Sequence, residues 1–241
     1  MADRYRIILV LFAAVACFWG CEGTRTETPQ KPAQAVILKP RPKLLTPEQR
    51  AELGFPPEII AQVEQAAGAS AEPFFEDVML RSSNLKGDVM ITAGRLSGFS
   101  VHVRNADELI ADLAGPLRSQ GFLIFRSAQN VGSVPDIVTV VRGRNSYDIL
   151  KIQQTEAPHY HIDTAAIIRW LKTQQKRGSF VITGAGADWI EARFIRPPKN
   201  MPAFARAVAG FAPDVLREGH GSEERLAGWM AETNGFRLVW D

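Results

Sequence analysis

Cysteine is nearly absent from this 241-residue chain, and its two cysteines, Cys17 and Cys21, both lie near the N-terminus. Residues 22–241 therefore have no disulfide framework and no thiol nucleophile. The pattern Gly-x-Ser-x-Gly does not occur either, so the sequence lacks the nucleophile elbow found in many serine hydrolases. A hydrophobic core has to stabilise the fold, and a chain of this length with 46% hydrophobic residues can build one.

The chain also lacks an excess of charge of one sign. Its 28 lysines and arginines are nearly balanced by 26 aspartates and glutamates, which leaves a net charge of +2. This balance gives no electrostatic reason to expect nucleic acid as a partner. With 22% charged residues beside the hydrophobic fraction, the composition is typical of a globular protein rather than a disordered one.

The N-terminus has the pattern of an export signal. Arg4 and Arg6 precede an apolar run over residues 7–16, which as a helix would rise about 15 Å, or about half the thickness of a bilayer's hydrocarbon core. Small residues precede Cys17, as in bacterial lipoprotein signal peptides. We therefore expect residues 1–16 to be removed and Cys17 to carry lipid such as palmitate. Cys21 is the alternative acceptor, and plain secretion or an uncleaved anchor are the alternatives to lipidation.

The rest of the chain divides into four predicted parts. Residues 17–45 are predicted to form the lipid anchor and a flexible tether, because residues 22–45 are polar and contain four prolines. The segment 46–85 is predicted to be helical, 86–145 to form a first α/β half, and 146–241 to form a C-terminal α+β domain. The order of helices and strands predicts an α+β fold, with a mostly antiparallel sheet and helices packed on one of its faces.

Local signals place the helices and strands. The N-cap residues that predict helix starts are Thr46, Asn105, Asp163 or Thr164, Asn200 and Ser222. Gly115-Pro116 predicts a break in the helix that follows Asn105. Residues 148–153 are predicted to form a strand, and the glycine-rich segment 184–188 is predicted to be a hairpin turn rather than a nucleotide-binding loop.

The predicted strand 189–195 carries the most distinctive surface. With side chains alternating, Trp189, Glu191 and Arg193 share one face, and the residues between them are apolar. Tryptophan and arginine are enriched at recognition surfaces, so these three residues are candidates for a binding surface, which Trp240 could join from the terminal strand. The alternative is that a helix covers Trp189 and that Glu191 simply pairs with Arg193.

Two groups of histidines are candidates for chemistry. His159 and His161 would share a face if their segment were extended, and with Asp163 they are the one cluster with plausible metal-ligand types. The alternative is a surface loop in which Asp163 caps a helix, and we predict no metal or cofactor. His220 lies between two glycines before a helix start, where anions are readily bound, so it is a further candidate for the binding surface. It could also act as a general acid or base. The alternative interpretation is that His220 is an ordinary solvated loop histidine.

The last hundred residues resemble a bacterial family of uncharacterised function, domain of unknown function 4253. The segments that carry the resemblance are Tyr147–Leu150, Asp188–Phe194, Phe211–Val215, Gly221-Ser222 and Leu238–Asp241. Ala212 stands where the family pattern has a cysteine, and residues 217–220 stand where it has a more acidic loop. The resemblance implies a fold unit without an established activity, so no catalytic residue follows from it.

These observations predict an exported protein anchored to a bacterial membrane on its periplasmic or cell-surface side. Its domain is expected to bind a partner, such as another envelope protein, without catalysing a reaction. One alternative is a hydrolase that uses His220 or the pair His159 and His161. Another alternative is an immunity protein that neutralises a toxin.

Overall fold

A computed structural model describes residues 44–82, 89–130 and 134–240 of the chain. The predicted signal peptide, Cys17, Cys21, nearly all of the predicted tether and Asp241 lie outside these residues. In the described part, no helix combines the length and the apolar character that crossing a bilayer requires.

The helices of the described residues are α1 (Pro47–Leu53), α2 (Pro57–Ala67), α3 (Ala106–Ser119), α4 (Asp148–Ile152), α5 (Thr164–Gln174), α6 (Met201–Phe211) and α7 (Glu223–Thr233). A 3-10 turn, Pro158–Tyr160, precedes α5, and a kinked π-type turn, Leu216–His220, precedes α7. The predicted caps are confirmed, because Thr46, Asn105, Asp163, Asn200 and Ser222 each accept a hydrogen bond from the backbone three residues on.

The strands are β1 (Glu72–Ser82), β2 (Val89–Val103), β3 (Phe122–Ala128), β4 (Asp136–Arg142), β5 (Ser179–Ala185), β6 (Trp189–Arg196) and β7 (Gly235–Val239). They form one sheet in the order β1-β2-β4-β3-β5-β6-β7. Every neighbouring pair is antiparallel except β3 and β5, which run parallel. The prediction of an α+β fold with a mostly antiparallel sheet is confirmed.

Two hydrophobic cores lie on opposite faces of the sheet, as the alternation along β3 shows. Phe122 and Ile124 belong to a core with α1–α3, whereas Leu123 and Phe125 belong to a core with α4–α7. Successive side chains of a strand point to opposite faces, so the two sets of helices cover opposite faces. The helices were expected on one face, and the structure divides them between two.

Three local predictions differ from the structure. Asp148–Ile152 is a short helix rather than a strand, since Ile149 and Leu150 are both buried and so short an apolar run fits either element. The helix α3 continues past Pro116 to Ser119, because Leu113 and Leu117 pack into the core on either side of the proline. The segment 46–85, predicted as helical, also contains strand β1.

Candidate functional site

The candidate site is a polar face that β6 and β7 share, which we call the Trp–Arg face: Trp189, Glu191, Arg193 and Arg237. Ile190, Ala192 and Phe194 point into the core with α4–α7, which leaves the residues between them on the opposite face, as the sequence predicted. Glu191 is directly opposite Arg237 in the antiparallel register. The helices α1–α3 pack over β2, β3 and β4 on this same face, while the four side chains of the Trp–Arg face stay half-buried.

Two glycines hold the indole of Trp189 close to the sheet. A side chain at Gly184 would have its Cβ 3.0 Å from the indole Cζ3, and a Cβ at Gly186 would overlap the indole Nε1. The end of β5 and the residue after it therefore need glycine so that the ring can lie against the backbone. The guanidinium of Arg237 lies 5.7 Å from the indole centroid, within range of a cation–π interaction.

Arg126 is the charged centre beneath this face. Its side chain is 7% exposed, and its guanidinium contacts three carboxylates: Asp107 at 3.0 Å, Asp136 at 3.1 Å and Glu191 in a very short contact. The Asp136 contact is close but is not aligned as a hydrogen bond from Nε. Asp107 also lies 3.1 Å from Arg193, so the network reaches from the buried Arg126 to the surface.

The carboxylate of Glu191 has a raised pKa. Burial is the largest cause, because it disfavours the charged form, and Asp107 adds repulsion. Arg126, Arg237 and Arg193 act in the opposite direction, but burial outweighs their attraction. Glu191 is therefore easier to protonate than an ordinary glutamate, although it lies among three arginines.

A small cavity of about 190 Å³ opens beside this network. It is lined by Asp107, Arg126, Glu191, Arg193 and Arg237, together with Trp229 and other residues of α7 and β7. The Nε of Arg237 is buried and has no hydrogen-bond acceptor among the described residues. Because Arg237 lines the cavity, its guanidinium can donate to a group that enters, and the space suits a side chain or a small polar group rather than a large cofactor.

His220 lies next to this cavity rather than in free solvent. Its ring packs against Trp229, with the centroids 4.9 Å apart. Burial is the main cause of a lowered pKa, Glu218 opposes it, and Arg237 and Arg225 add to it. The imidazole is thus neutral at neutral pH, and the loop connects to the Trp–Arg face through Glu218, which lies 3.8 Å from Arg237.

Trp240 does not join the Trp–Arg face, contrary to expectation. It is 3% exposed, it donates a hydrogen bond from its indole to the Phe211 carbonyl at 3.0 Å, and it belongs to the core with α4–α7. In the alternation of the terminal strand, Trp240 follows Phe236 and Leu238 into this core. Arg237 is the residue of that strand that faces the candidate site.

The candidate metal ligands do not share a face. The segment that holds His159 is a 3-10 turn rather than an extended strand, and His161 adopts a left-handed conformation with φ of 54°. Asp163 is occupied as the cap of α5, where it accepts a hydrogen bond from the Ala166 backbone at 2.6 Å. Within the described ranges, no three histidine, cysteine or carboxylate side chains are grouped as a metal would require.

The sequence interpretation missed Asp107, Arg126, Asp136 and Arg237. The one available signal was the position of Arg126 at the end of the apolar run Phe122–Phe125, where a charged side chain must find partners. Asp107 had an ordinary explanation as an acidic residue in the first turn of a helix. Only the folded arrangement brings it to Arg193.

Comparisons with known proteins bear on the C-terminal part of the chain. No curated protein and no solved structure matches the chain. Glu191, Arg193, Arg237 and His220 lie within the region that a family model does match, whereas Asp107, Arg126 and Asp136 precede it. The resemblance inferred from the sequence is confirmed: residues 137–241 match the family model described as Domain of unknown function (DUF4253).

Proposed function

We propose that this protein is an exported, lipid-anchored protein of the bacterial envelope whose domain binds a protein partner through the Trp–Arg face. The observation that carries the proposal is that the half-buried Arg193 and Arg237 line an open cavity next to Trp189. A partner's carboxylate or carbonyl group that enters the cavity would accept hydrogen bonds from these guanidinium groups.

The residue types of the Trp–Arg face support recognition. Tryptophan and arginine contribute most of the binding energy at many interfaces, and they work best when they are held in place before binding. Here Gly184 and Gly186 position the indole, and Asp107 holds Arg193. A partner would therefore meet side chains that are already ordered.

The proposed anchor rests on the N-terminal sequence. A basic start, a short apolar run and Cys17 after small residues form the export and lipidation pattern, and a proline-bearing segment follows as a tether. The alternative acceptor is Cys21. Mass analysis of the mature N-terminus tests this part, since a chain that begins elsewhere and carries no lipid contradicts it.

A hydrolase is the second candidate, and the neutral imidazole of His220 favours it. A neutral histidine beside a cavity can accept a proton from a substrate or from water. The substitution His220→Ala separates the two functions. A hydrolase loses turnover while partner capture persists, whereas a binding protein shows no turnover in either form.

The binding proposal is tested by capture from envelope extract with cross-linking and mass spectrometry. The variant Trp189→Ala, Arg193→Gln is compared with the control Arg169→Gln, which removes an exposed arginine on α5. We expect the identified partner to bind the double variant at least about tenfold more weakly than the parent, because interface tryptophan and arginine side chains each contribute more than about 1 kcal/mol. Unchanged affinity overturns the surface assignment. A toxin as the captured partner identifies the immunity function.

A second variant tests the position of the indole without removing a polar group. Gly186→Ala places a methyl group where the Trp189 ring lies, so the ring must move. Gly228→Ala is the matched control, because its added methyl group meets no atom within 4 Å. We expect Gly186→Ala to weaken partner binding and Gly228→Ala to leave it unchanged. Equal binding by both variants contradicts a role for the ordered indole.

A further inference from the structure

A second surface, distinct from the Trp–Arg face, carries charge of one sign. The sequence has no acidic residue between positions 164 and 187, and none between positions 192 and 213. These two stretches contain eight lysines and arginines, whereas the whole chain has a net charge of +2. The remainder of the chain is therefore net −6, so the near-neutral total conceals a separation of charge.

The fold brings the middle parts of these two stretches together. Strand β5 begins at Ser179, and strand β6 ends beside it at Arg196, because the two residues are paired in the antiparallel register. The α5–β5 loop and the β6–α6 loop therefore lie at the same end of the sheet. We call the four cations at this end the basic patch: Arg196 at the end of β6, and Lys176, Arg177 and Lys199 on the two loops.

The basic patch surrounds an open depression of about 710 Å³ whose lining contains no carboxylate. All four cations are exposed, and none of them forms an ion pair with another described residue. Unpaired cations clustered at one end of a protein attract an anionic surface. This arrangement differs from the Trp–Arg face, where Arg193 and the underlying Arg126 each contact a carboxylate.

Apolar residues lie next to the cations. Ile195 is 69% exposed, Pro197 is exposed between Arg196 and Lys199, and Pro202 is exposed in the first turn of α6. The lining of the depression contains no aromatic residue, and Phe180 and Phe194 of the adjoining strands are buried in the core, so this lining offers no ring on which a nucleic-acid base could stack. Cations with adjacent aliphatic groups are suited to the interface of a bilayer.

We infer that the basic patch docks the domain on an anionic phospholipid bilayer, with Ile195 reaching the interface. This contact would be additional to the proposed lipid anchor and would fix which end of the domain faces the membrane. It does not depend on the binding function of the Trp–Arg face, because the two surfaces share no residue.

The test is co-sedimentation of the full chain with vesicles of phosphatidylcholine alone and with vesicles that also contain phosphatidylglycerol. The ratio of binding between the two vesicle types isolates the electrostatic contribution from insertion of the N-terminal apolar run. We expect clear preference for the anionic vesicles, declining as salt is added. Neutralising the basic patch should reduce that preference about fivefold for each cation removed, because each contributes about 1 kcal/mol.

Three variants complete the experiment. The first replaces all four cations of the basic patch by glutamine, and the milder Lys176→Gln, Lys199→Gln keeps both arginines. The control replaces four exposed arginines elsewhere by glutamine: Arg104, Arg144, Arg169 and Arg225. The inference is supported if the preference for anionic vesicles is lost in the first variant, partly lost in the second and reduced much less in the control. Equal losses in the first variant and the control, or no preference for anionic vesicles in the parent, overturn it. Binding to a soluble polyanion without preference for anionic vesicles also overturns it.

Discussion

Arg126 and Ser127 are neighbours in β3, yet their side chains enter opposite faces of the sheet and join polar clusters of different kinds. Ser127 belongs to a neutral cluster, in which Thr139 lies 2.7 Å from the hydroxyls of both Ser127 and Ser100. Arg126 belongs to a charged cluster with Asp107, Asp136 and Glu191. The same two strands, β3 and β4, supply residues to both clusters.

The difference between the clusters supports the proposal that the charged cluster serves binding. Three hydroxyl groups satisfy one another without desolvating a charge, so the neutral cluster fits a purely structural role. The charged cluster desolvates an arginine and a glutamate, which costs stability, and it reaches the surface at Arg193 beside a cavity. Costly charged arrangements that open onto a cavity are frequent at functional sites, which supports the proposed binding role.

The largest expected effect comes from Arg126→Gln. The substitution leaves the buried carboxylate of Glu191 without its nearest cation, and breaking a buried ion pair in this way costs about 3–5 kcal/mol. Chemical denaturation measures the change in the free energy of unfolding. Arg169→Gln, at an exposed position, is the control and should change stability little. A loss below about 1 kcal/mol for Arg126→Gln would show that the network contributes no more than a surface pair.

The cost of Arg126→Gln should also depend on pH. Burial raises the pKa of Glu191 and Arg126 lowers it, so the variant should have a Glu191 pKa that is higher still. A carboxyl group whose pKa is raised by folding adds stability below its unfolded value, and this stability is lost as the pH rises through the folded pKa. The destabilisation is therefore smallest in acid and largest at neutral pH. In the Glu191→Gln background this dependence should disappear, and its persistence would assign it to another group.

The substitution Thr139→Val should have a smaller effect that does not depend on pH. It removes the hydroxyl that joins Ser100 to Ser127 while keeping nearly the same shape. Loss of a partner from buried hydroxyls costs about 1–3 kcal/mol. The free energy of unfolding measured at acidic and neutral pH should fall by the same amount in both. A fall that varied with pH would mean that the neutral cluster is coupled to the charged one.

Local chemistry explains which parts of this comparison the sequence predicts. The caps at Asn105 and Asn200 depend on residues close in the chain, and the alternation around Glu191 depends only on the period of a strand. Both follow from the sequence. The structure of the run 148–152 does not follow from the sequence, since a short apolar segment with two adjacent buried residues fits a helix or a strand equally well.

The charged cluster, in contrast, depends on pairing between distant strands. Arg126 reaches Glu191, 65 residues away, because β3 and β5 pair in parallel with Arg126 opposite Gly184. No periodicity in the sequence specifies that pairing. The terminal strand shows the same limit: the sequence predicts the strand, but only its register shows that Arg237 faces the site and Trp240 the core.

The smallest expected effect on stability comes from Arg193→Gln, and it separates the surface from the buried network. Arg193 is 41% exposed and Asp107 is 50% exposed, so their ion pair contributes about 0.2–1 kcal/mol, and Asp107 keeps its contact with Arg126 when Arg193 is removed. A double-mutant cycle with Asp107→Asn measures this coupling. Partner binding should be weakened more by Arg193→Gln than by Arg126→Gln, because Arg193 is accessible to a partner and Arg126 is not. A loss of affinity that exceeds the loss of stability assigns Arg193 to recognition, whereas equal losses assign it to the fold.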